Sequence, residues 1–199
     1  MSTEFWAKIA MRVSQEEKQR SHRRIVESAA RLLRERGVDA TSVADVMADA
    51  GLTHGGFYRH FETKDALTEA ALHSAFEQIT SLLEAQQSAT GPEAAFTAFQ
   101  NIYLSDGHAA NPGIGCPIAA LAGEIGRGTG VLKTAFGRGV NRLIDRLMLG
   151  MPGASSRRRD RATRELAMMA GAIMIARASD PDTAQAVLAA CRPKGTSNV

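Results

Sequence analysis

Apolar side chains recur every three or four residues along almost the whole chain and nowhere alternate. Leu132, Phe136, Val140, Leu143, Ile144 and Leu147 share one helix face, as do Leu67, Ala71, Leu72, Phe76, Ile79, Leu82 and Leu83. That period is the signature of amphipathic helices, and no β-branched alternation bounded by turns competes with it. The fold class is therefore all-α. With 199 residues, 44% apolar and 23% charged, the chain is expected to form one or two small domains with their own core. The strongest apolar run, Leu166–Ala176, is eleven residues, whereas a membrane span needs about 20. No basic-then-apolar leader opens the sequence. The expectation is a cytoplasmic protein with no membrane partner. Two cysteines, Cys116 and Cys191, are too few for a disulfide framework and read as thiols.

Caps and breakers divide the chain. Ser14-Gln-Glu-Glu17 has the form of a capping box, which predicts a first helix from Ser14 to Gly37 and leaves residues 1–13 as an N-terminal extension. Ser42 with Asp45 starts a short second helix that closes at Gly51. Thr53 caps a third, His54 to His60. Thr63 opens a long fourth helix to about Gln87. Pro92, Pro117 and Pro181 each suit the first turn of a helix. Asp106–Gly115, rich in Gly, Asn and Pro, reads as a loop. A long helix carries Leu132 to Leu147, another runs from Ser155 or Ser156 to about Ala178, and residues 192–199 read as a frayed tail.

Charge is concentrated at the front. Nine Lys or Arg and four Glu lie between Lys8 and Arg36, a local excess of +5 against +3 for the whole chain. A basic segment of this kind points to nucleic acid or another anionic surface. The second and third helices are joined by Gly51-Leu-Thr53, the layout of a helix-turn-helix. Gly55 and Gly56 then stand inside a very short helix, where each costs about 1 kcal/mol against alanine. Two such glycines at a helix start favour close backbone approach by a partner. Tyr58, His60 and Lys64 offer donors to phosphates, while Phe57 and Phe61 anchor the segment inward.

The stretch from Ala50 to Leu67, above all Gly56-Phe-Tyr-Arg-His-Phe61 with Lys64 and Leu67, resembles the TetR family of transcriptional regulators. The upstream run Ile25–Gly37, then Thr41-Ser-Val43 and Val46, is similar too, so the resemblance covers about residues 14–75. It implies a helix-turn-helix domain over 14–63 and a helical effector-binding and dimerisation domain over 64–191. It implies a homodimer on a double-stranded, palindromic DNA operator, acting as a repressor released by a small-molecule effector, with no catalytic role, no cofactor and no metal. By position, Thr41, Thr53, Tyr58, His60 and Lys64 would contact phosphates. His54, Gly55 and Arg59 would lie at base edges, and Gly56 belongs to the same DNA-binding set.

The second half is less specific. The helix through Leu166–Ala178 is apolar on more than one face, so it needs cover on both sides. Ala167, Gly171, Met174 and Ile175 are the expected dimer contacts. Phe76, Phe96, Phe99, Tyr103, Cys116, Leu121, Phe136 and Met168 are candidate walls of an effector pocket, each also readable as plain core. Cys116 sits at a helix N-terminus, where the dipole favours thiolate. It is a candidate sensor of oxidants or electrophiles, with His108 as a possible base, but the favoured reading is a small buried residue that caps and packs. A thiol-dependent enzyme lacks an orienting third group. Gly126-Arg-Gly-Thr-Gly130 lacks the ending and preceding strand of a phosphate loop.

Overall fold

A computed structural model describes the backbone of residues 3–14 and the whole of residues 15–128 and 130–193. Among them it contains helices and turns and no strand. The elements are α1 (Thr3–Arg36), α2 (Val43–Asp49), a 3-10 segment (His54–Arg59), α3 (Lys64–Thr90), α4 (Pro92–Tyr103), α5 (Asp106–Ala110), α6 (Pro117–Arg127), α7 (Gly130–Leu147), α8 (Ser155–Ala178) and α9 (Pro181–Cys191). The expected all-α class holds.

Several local signals act as read. Ser42 accepts from the Asp45 amide while the Asp45 carboxylate accepts from the Ser42 amide, a closed capping box. Thr63 caps α3 and Asp180 caps α9. Gly37 and Gly51 take positive φ angles, 89° and 65°, which end α1 and turn the chain after α2.

Three local expectations are corrected. α1 does not begin at Ser14 but runs back to Thr3. No Gly or Pro precedes Ser14, so nothing breaks the helix there, and a serine is tolerated inside it. The expected extension over 1–13 is thus helical from Thr3 onward. Second, Asp106–Gly115 is not a plain loop: Ser105 caps the one-turn helix α5, and a 3-10 turn spans Pro112–Ile114. Third, Thr53 makes no side-chain cap bond, and the segment after it is 3-10 rather than α. The tail expected over 192–199 lies outside the described residues from 194. Arg192 itself is held, its Nε donating to the Leu104 carbonyl at 3.0 Å. Thr129 of the glycine-rich run lies outside them too.

Two apolar clusters organise the fold. The first joins α1, α2, Phe57, Phe61 and the start of α3, and also takes in Leu121, Ile125, Leu132 and Ala135 from α6 and α7. The second lies among α3, α4, α7, α8 and α9. The front domain therefore shares its core with the body. α3 and α7 cross closely at Gly139, where any Cβ would run into the fully buried ring of Phe76.

Candidate nucleic-acid interface and the cavity behind it

The turn from α2 into the 3-10 segment leaves Phe57 buried and its neighbours outside. Phe57 and Phe61 stack at 5.9 Å and hold the segment against α1, where His22 stacks on Phe61 at 4.8 Å. Thr53, His54, Gly55 and Arg59 are exposed, and Tyr58 is 73% exposed. A Cβ on Gly55 would meet nothing within 4 Å. Among the described residues no packing requires that glycine. Gly56 is half-buried over Met47 and Thr53.

Beside this segment a cleft of about 390 Å³ is lined by Lys18, Gln19, His22, Arg23, Arg59 and His60. No acid lines it. Burial first, then the nearby charges of His22, Lys18 and Arg59, hold the His60 imidazole below its ordinary pKa. Its Nδ1 is buried without a partner. His22 is a member of this cleft that sequence reasoning missed. Its only signal is one helical turn's distance from Lys18 on a basic helix.

Two expected contacts have other work. Thr41 is 1% exposed, and its hydroxyl donates to the Gly37 carbonyl at 2.7 Å. That hydroxyl secures the turn after α1 and does not face outward, which corrects its expected place at phosphates. Lys64 is half-buried and donates to the Val38 carbonyl at 2.7 Å, so its charge stands at the base of the segment.

Behind the front domain lies a cavity of about 250 Å³. Its walls come from α3 (Ile79, Leu82, Leu83, Gln86), α4 (Ala95, Ala98, Phe99, Ile102, Tyr103) and the α5–α6 connection (His108, Ile114, Gly115, Cys116). Of the eight expected wall residues it gathers Phe99, Tyr103 and Cys116. The other five lie elsewhere. Phe76 is packed edge-on against Phe136 at 5.6 Å between α3 and α7. Leu121 belongs to the first core, and Phe96 packs on the second. Met168 is 38% exposed on the outer face of α8. Helical spacing identifies such residues as inward-facing without saying which interior they face. The missed walls, Ile79 to Gln86 and Ala95 to Ile102, lie within a turn or two of residues that were named.

The polar end of the cavity is closely wired. His108 Nε2 accepts from the Cys116 amide at 2.9 Å, which leaves Nδ1 to carry the proton and donate to the Tyr103 carbonyl at 2.6 Å. Burial holds this imidazole below its usual pKa. Arg177 donates from Nε to the Ala109 carbonyl and from Nη2 to the His108 carbonyl. Arg34, itself buried, donates to the carbonyls of Ala30 and Gly115 and to the Gln78 side chain. Burial draws its pKa down to about 10. Cys116 is the N-cap of α6 and 1% exposed. Burial raises its thiol pKa, against the lowering by Tyr103 and the first amides of α6. The thiol therefore stays protonated, because desolvation outweighs the helix end, which fits the packed residue and not the reactive thiolate.

On α8, Ala167, Met174 and Ile175 are exposed and Gly171 is half-buried. They fall on one outward face with Met168 and Ala178. No helix among the described residues is long and apolar enough to cross a membrane.

Residues 25–71 match the sequence profile of bacterial regulatory proteins of the tetR family. The chain is 38% identical over 78 residues to the HTH-type transcriptional regulator TtgR of Pseudomonas putida, covering 39% of this chain and 37% of that one. It is 40% identical over 65 residues to an HTH-type transcriptional repressor of Mycobacterium tuberculosis, covering 33% and 35%. These matches span about a third of the relatives' own length. The fold is similar to that of a TetR transcriptional regulator from Chloroflexus aurantiacus, with a TM-score of 0.68, 26% identity and coverage of 89% of this chain and 92% of that one. Residues 25–71 thus form a front domain of the tetR family of bacterial regulatory proteins, and 89% of the chain shares the helical layout of a TetR transcriptional regulator.

Proposed function

We propose that the protein is a homodimeric, sequence-specific repressor that binds a palindromic operator and is released by a small molecule held in the cavity between α3, α4 and the α5–α6 connection. The observation that carries the DNA-binding part is the exposed surface from Thr53 to Arg59. Its Gly55 faces open space and its flank is a cleft lined by Lys18, His22, Arg23 and Arg59. Tyr58, Thr53 and His60 hold phosphates, Lys64 adds its charge from the base of the segment, and the backbone at Gly55 and Gly56 lets His54 and Arg59 reach base edges. The matched relatives are named as regulators and a repressor, which supports the same role here. The reading places DNA recognition in residues 14–63 and sensing and dimerisation in 64–191. The protein acts where its operator is, in the cytoplasm, by binding rather than catalysis.

The outward apolar face of α8 supports the dimer. A twofold pair sets two recognition segments in successive major grooves, about 34–36 Å apart. An effector that favours a different spacing lowers DNA affinity, and DNA lowers effector affinity by the same factor.

Fluorescence anisotropy on the DNA upstream of the protein's own gene, against scrambled DNA and over a salt series, tests the reading. Tight binding to the upstream DNA alone, with a log–log salt slope of several units, is the expected result. Equal weak binding to both DNAs, by protein freed of small molecules, would count against it.

A further inference from the structure

The cavity has one chemical peculiarity. Tyr103 closes its inner end, is 3% exposed, and its hydroxyl has no hydrogen-bond partner. The hydroxyl's nearest polar neighbour is the Cys116 thiol, whose sulfur is a weak acceptor and leaves the hydroxyl without a well-formed hydrogen bond. A buried hydroxyl left unmatched is unfavourable unless something supplies an acceptor. The other polar groups nearby cannot supply one. His108 spends both ring nitrogens on Cys116 and the Tyr103 backbone. The guanidinium of Arg177 only donates.

The rest of the lining is aliphatic or aromatic, with Gln86 at the rim, and carries no charged side chain. Leu82, Ile102 and Ile114 stand at the mouth 70% or more exposed. These walls would desolvate a carboxylate or an ammonium without pairing it. The two nearest cations, Arg34 and Arg177, repel an ammonium; Arg34 has all three of its nitrogens engaged, and Arg177, whose Nη1 has no partner, does not line the cavity. By scale, a cavity of about 150 Å³ holds benzene, so 250 Å³ takes about ten non-hydrogen atoms.

From these facts we infer that the cavity binds an uncharged, largely apolar molecule of about ten non-hydrogen atoms whose one hydrogen-bond acceptor takes the Tyr103 hydroxyl proton. This rests on the proposal that the cavity is the effector site, and gives that site its chemistry. The acceptor lies at the inner end beside Cys116. The body lies against Phe99, Ile79 and Leu83, and any longer apolar tail leaves over Ile102 and Leu82.

Three probes of matched shape test it: 1-indanone (neutral, one acceptor), indane (no acceptor) and indane-1-carboxylate (anionic). Calorimetry or ligand-observed NMR on the full chain reads their affinities. Indanone should bind about tenfold tighter than indane, one hydrogen bond's worth, and the carboxylate should be weakest. In Tyr103→Phe, indanone should fall to the level of indane while indane is unchanged. Losing an unpartnered hydroxyl leaves this variant folded. Ala98→Phe fills the cavity and should abolish all three. If indane and indanone bind equally, or the carboxylate binds best, and Ala98→Phe removes that binding, the cavity is a site but the chemistry proposed for it is wrong. If no probe binds the wild type at millimolar concentration, or Ala98→Phe leaves binding intact, both the chemistry and the effector site are overturned.

Discussion

Arg34 of α1 donates from Nη1 to the carbonyl of Gly115, 2.9 Å away and 81 residues on in the chain. Gly115 immediately precedes Cys116, the N-cap of α6, and lines the cavity. One buried side chain thus ties the helix that supports the DNA-facing surface to the rim of the proposed effector site. A second tie runs from the Val38 amide to the Glu124 carboxylate of α6. Any ligand that shifts the Gly115 backbone pulls on α1 through the Arg34 bond.

The first prediction concerns that link. Arg34→Met strands the Gly115 and Ala30 carbonyls and should cost roughly 3 kcal/mol in urea unfolding. Arg34→Lys keeps the charge and a single donor nitrogen, so the fold should survive. Its ability to transmit should not: the factor by which 1-indanone weakens DNA binding, expected within the usual 5- to 150-fold range, should drop toward one. Paired DNA titrations with and without probe measure this. An unchanged factor in Arg34→Lys would place the coupling elsewhere.

Thr41 and His54 separate support from recognition. Thr41→Val removes a buried hydroxyl bonded to Gly37. It should lower stability by about 1 kcal/mol and leave both DNA affinity and salt slope unchanged. His54→Ala, at an exposed position, should leave the melting temperature alone and reduce preference for the operator over scrambled DNA, by about 1–3 kcal/mol if a base edge is lost. Tyr58→Phe should weaken binding to all sequences alike. Melting curves and competition anisotropy on the three variants test the assignment together.

What the sequence made legible and what it did not divide along a physical line. Caps and turns are local, so Ser42 with Asp45, Pro92, Pro117, Pro181, Gly37 and Gly51 could be read directly. Ser14 misleads because a capping box needs a break before it, and Lys8 to Val13 contain none. The outer surface from Thr53 to Arg59 was legible because phenylalanines point one way and polar residues the other. Thr41 was not, because its side-chain direction is set by the turn at Gly37 rather than by its polarity. Phe76 and Met168 failed as pocket walls for a different reason. Periodicity tells that Phe76 is inside and cannot tell that Gly139 of α7 fills the other side. For Met168, a face apolar enough to be buried in the monomer is left outside.

Acid should loosen the end of the cavity. Burial holds His108 and His60 below their ordinary value of 6.5. Between that value and the folded-state pKa the unfolded chain takes up protons that the native state refuses. Stability is therefore complete above about pH 6.5 and is lost as pH falls through the folded-state values. Protonated His108 would turn an N–H toward the N–H of Cys116, with Arg177 bonded to its own carbonyl and Arg34 bonded to Gly115. The melting temperature should drop between pH 7.5 and 5.5. His108→Gln, which stays neutral, should remove part of that slope and leave the share of His60. A slope identical in the variant would take His108 out of the account.

The α3–α7 crossing gives a packing test. Gly139→Ala puts a methyl into the Phe76 ring, which is 0% exposed and backed by Phe136. Overpacking of this kind costs about 1–3 kcal/mol. Denaturant titration should show it, and Gly137→Ala, two residues away with open space at its Cβ, should show no loss.

The outward face of α8 yields the sharpest test of assembly. Ala167, Gly171, Met174 and Ala178 follow at helical spacing, with Met168 and Ile175 beside them. Met174 and Ile175 are 42% and 51% exposed in the isolated chain. A Cβ on Gly171 would meet nothing within 4 Å, so the chain itself gives no reason for a glycine that costs about 1 kcal/mol inside a helix. A second copy of α8 crossing at Gly171 would. Gly171→Leu should therefore keep or raise the melting temperature of the protomer while converting a dimer to a monomer in sedimentation velocity. DNA affinity should fall with it, because one recognition segment cannot span two half-sites. Ile175→Glu should act in the same direction by setting like charges near the twofold axis. A Gly171→Leu protein that sediments as a dimer and binds the operator as before would move the interface off this face and leave the glycine without an explanation.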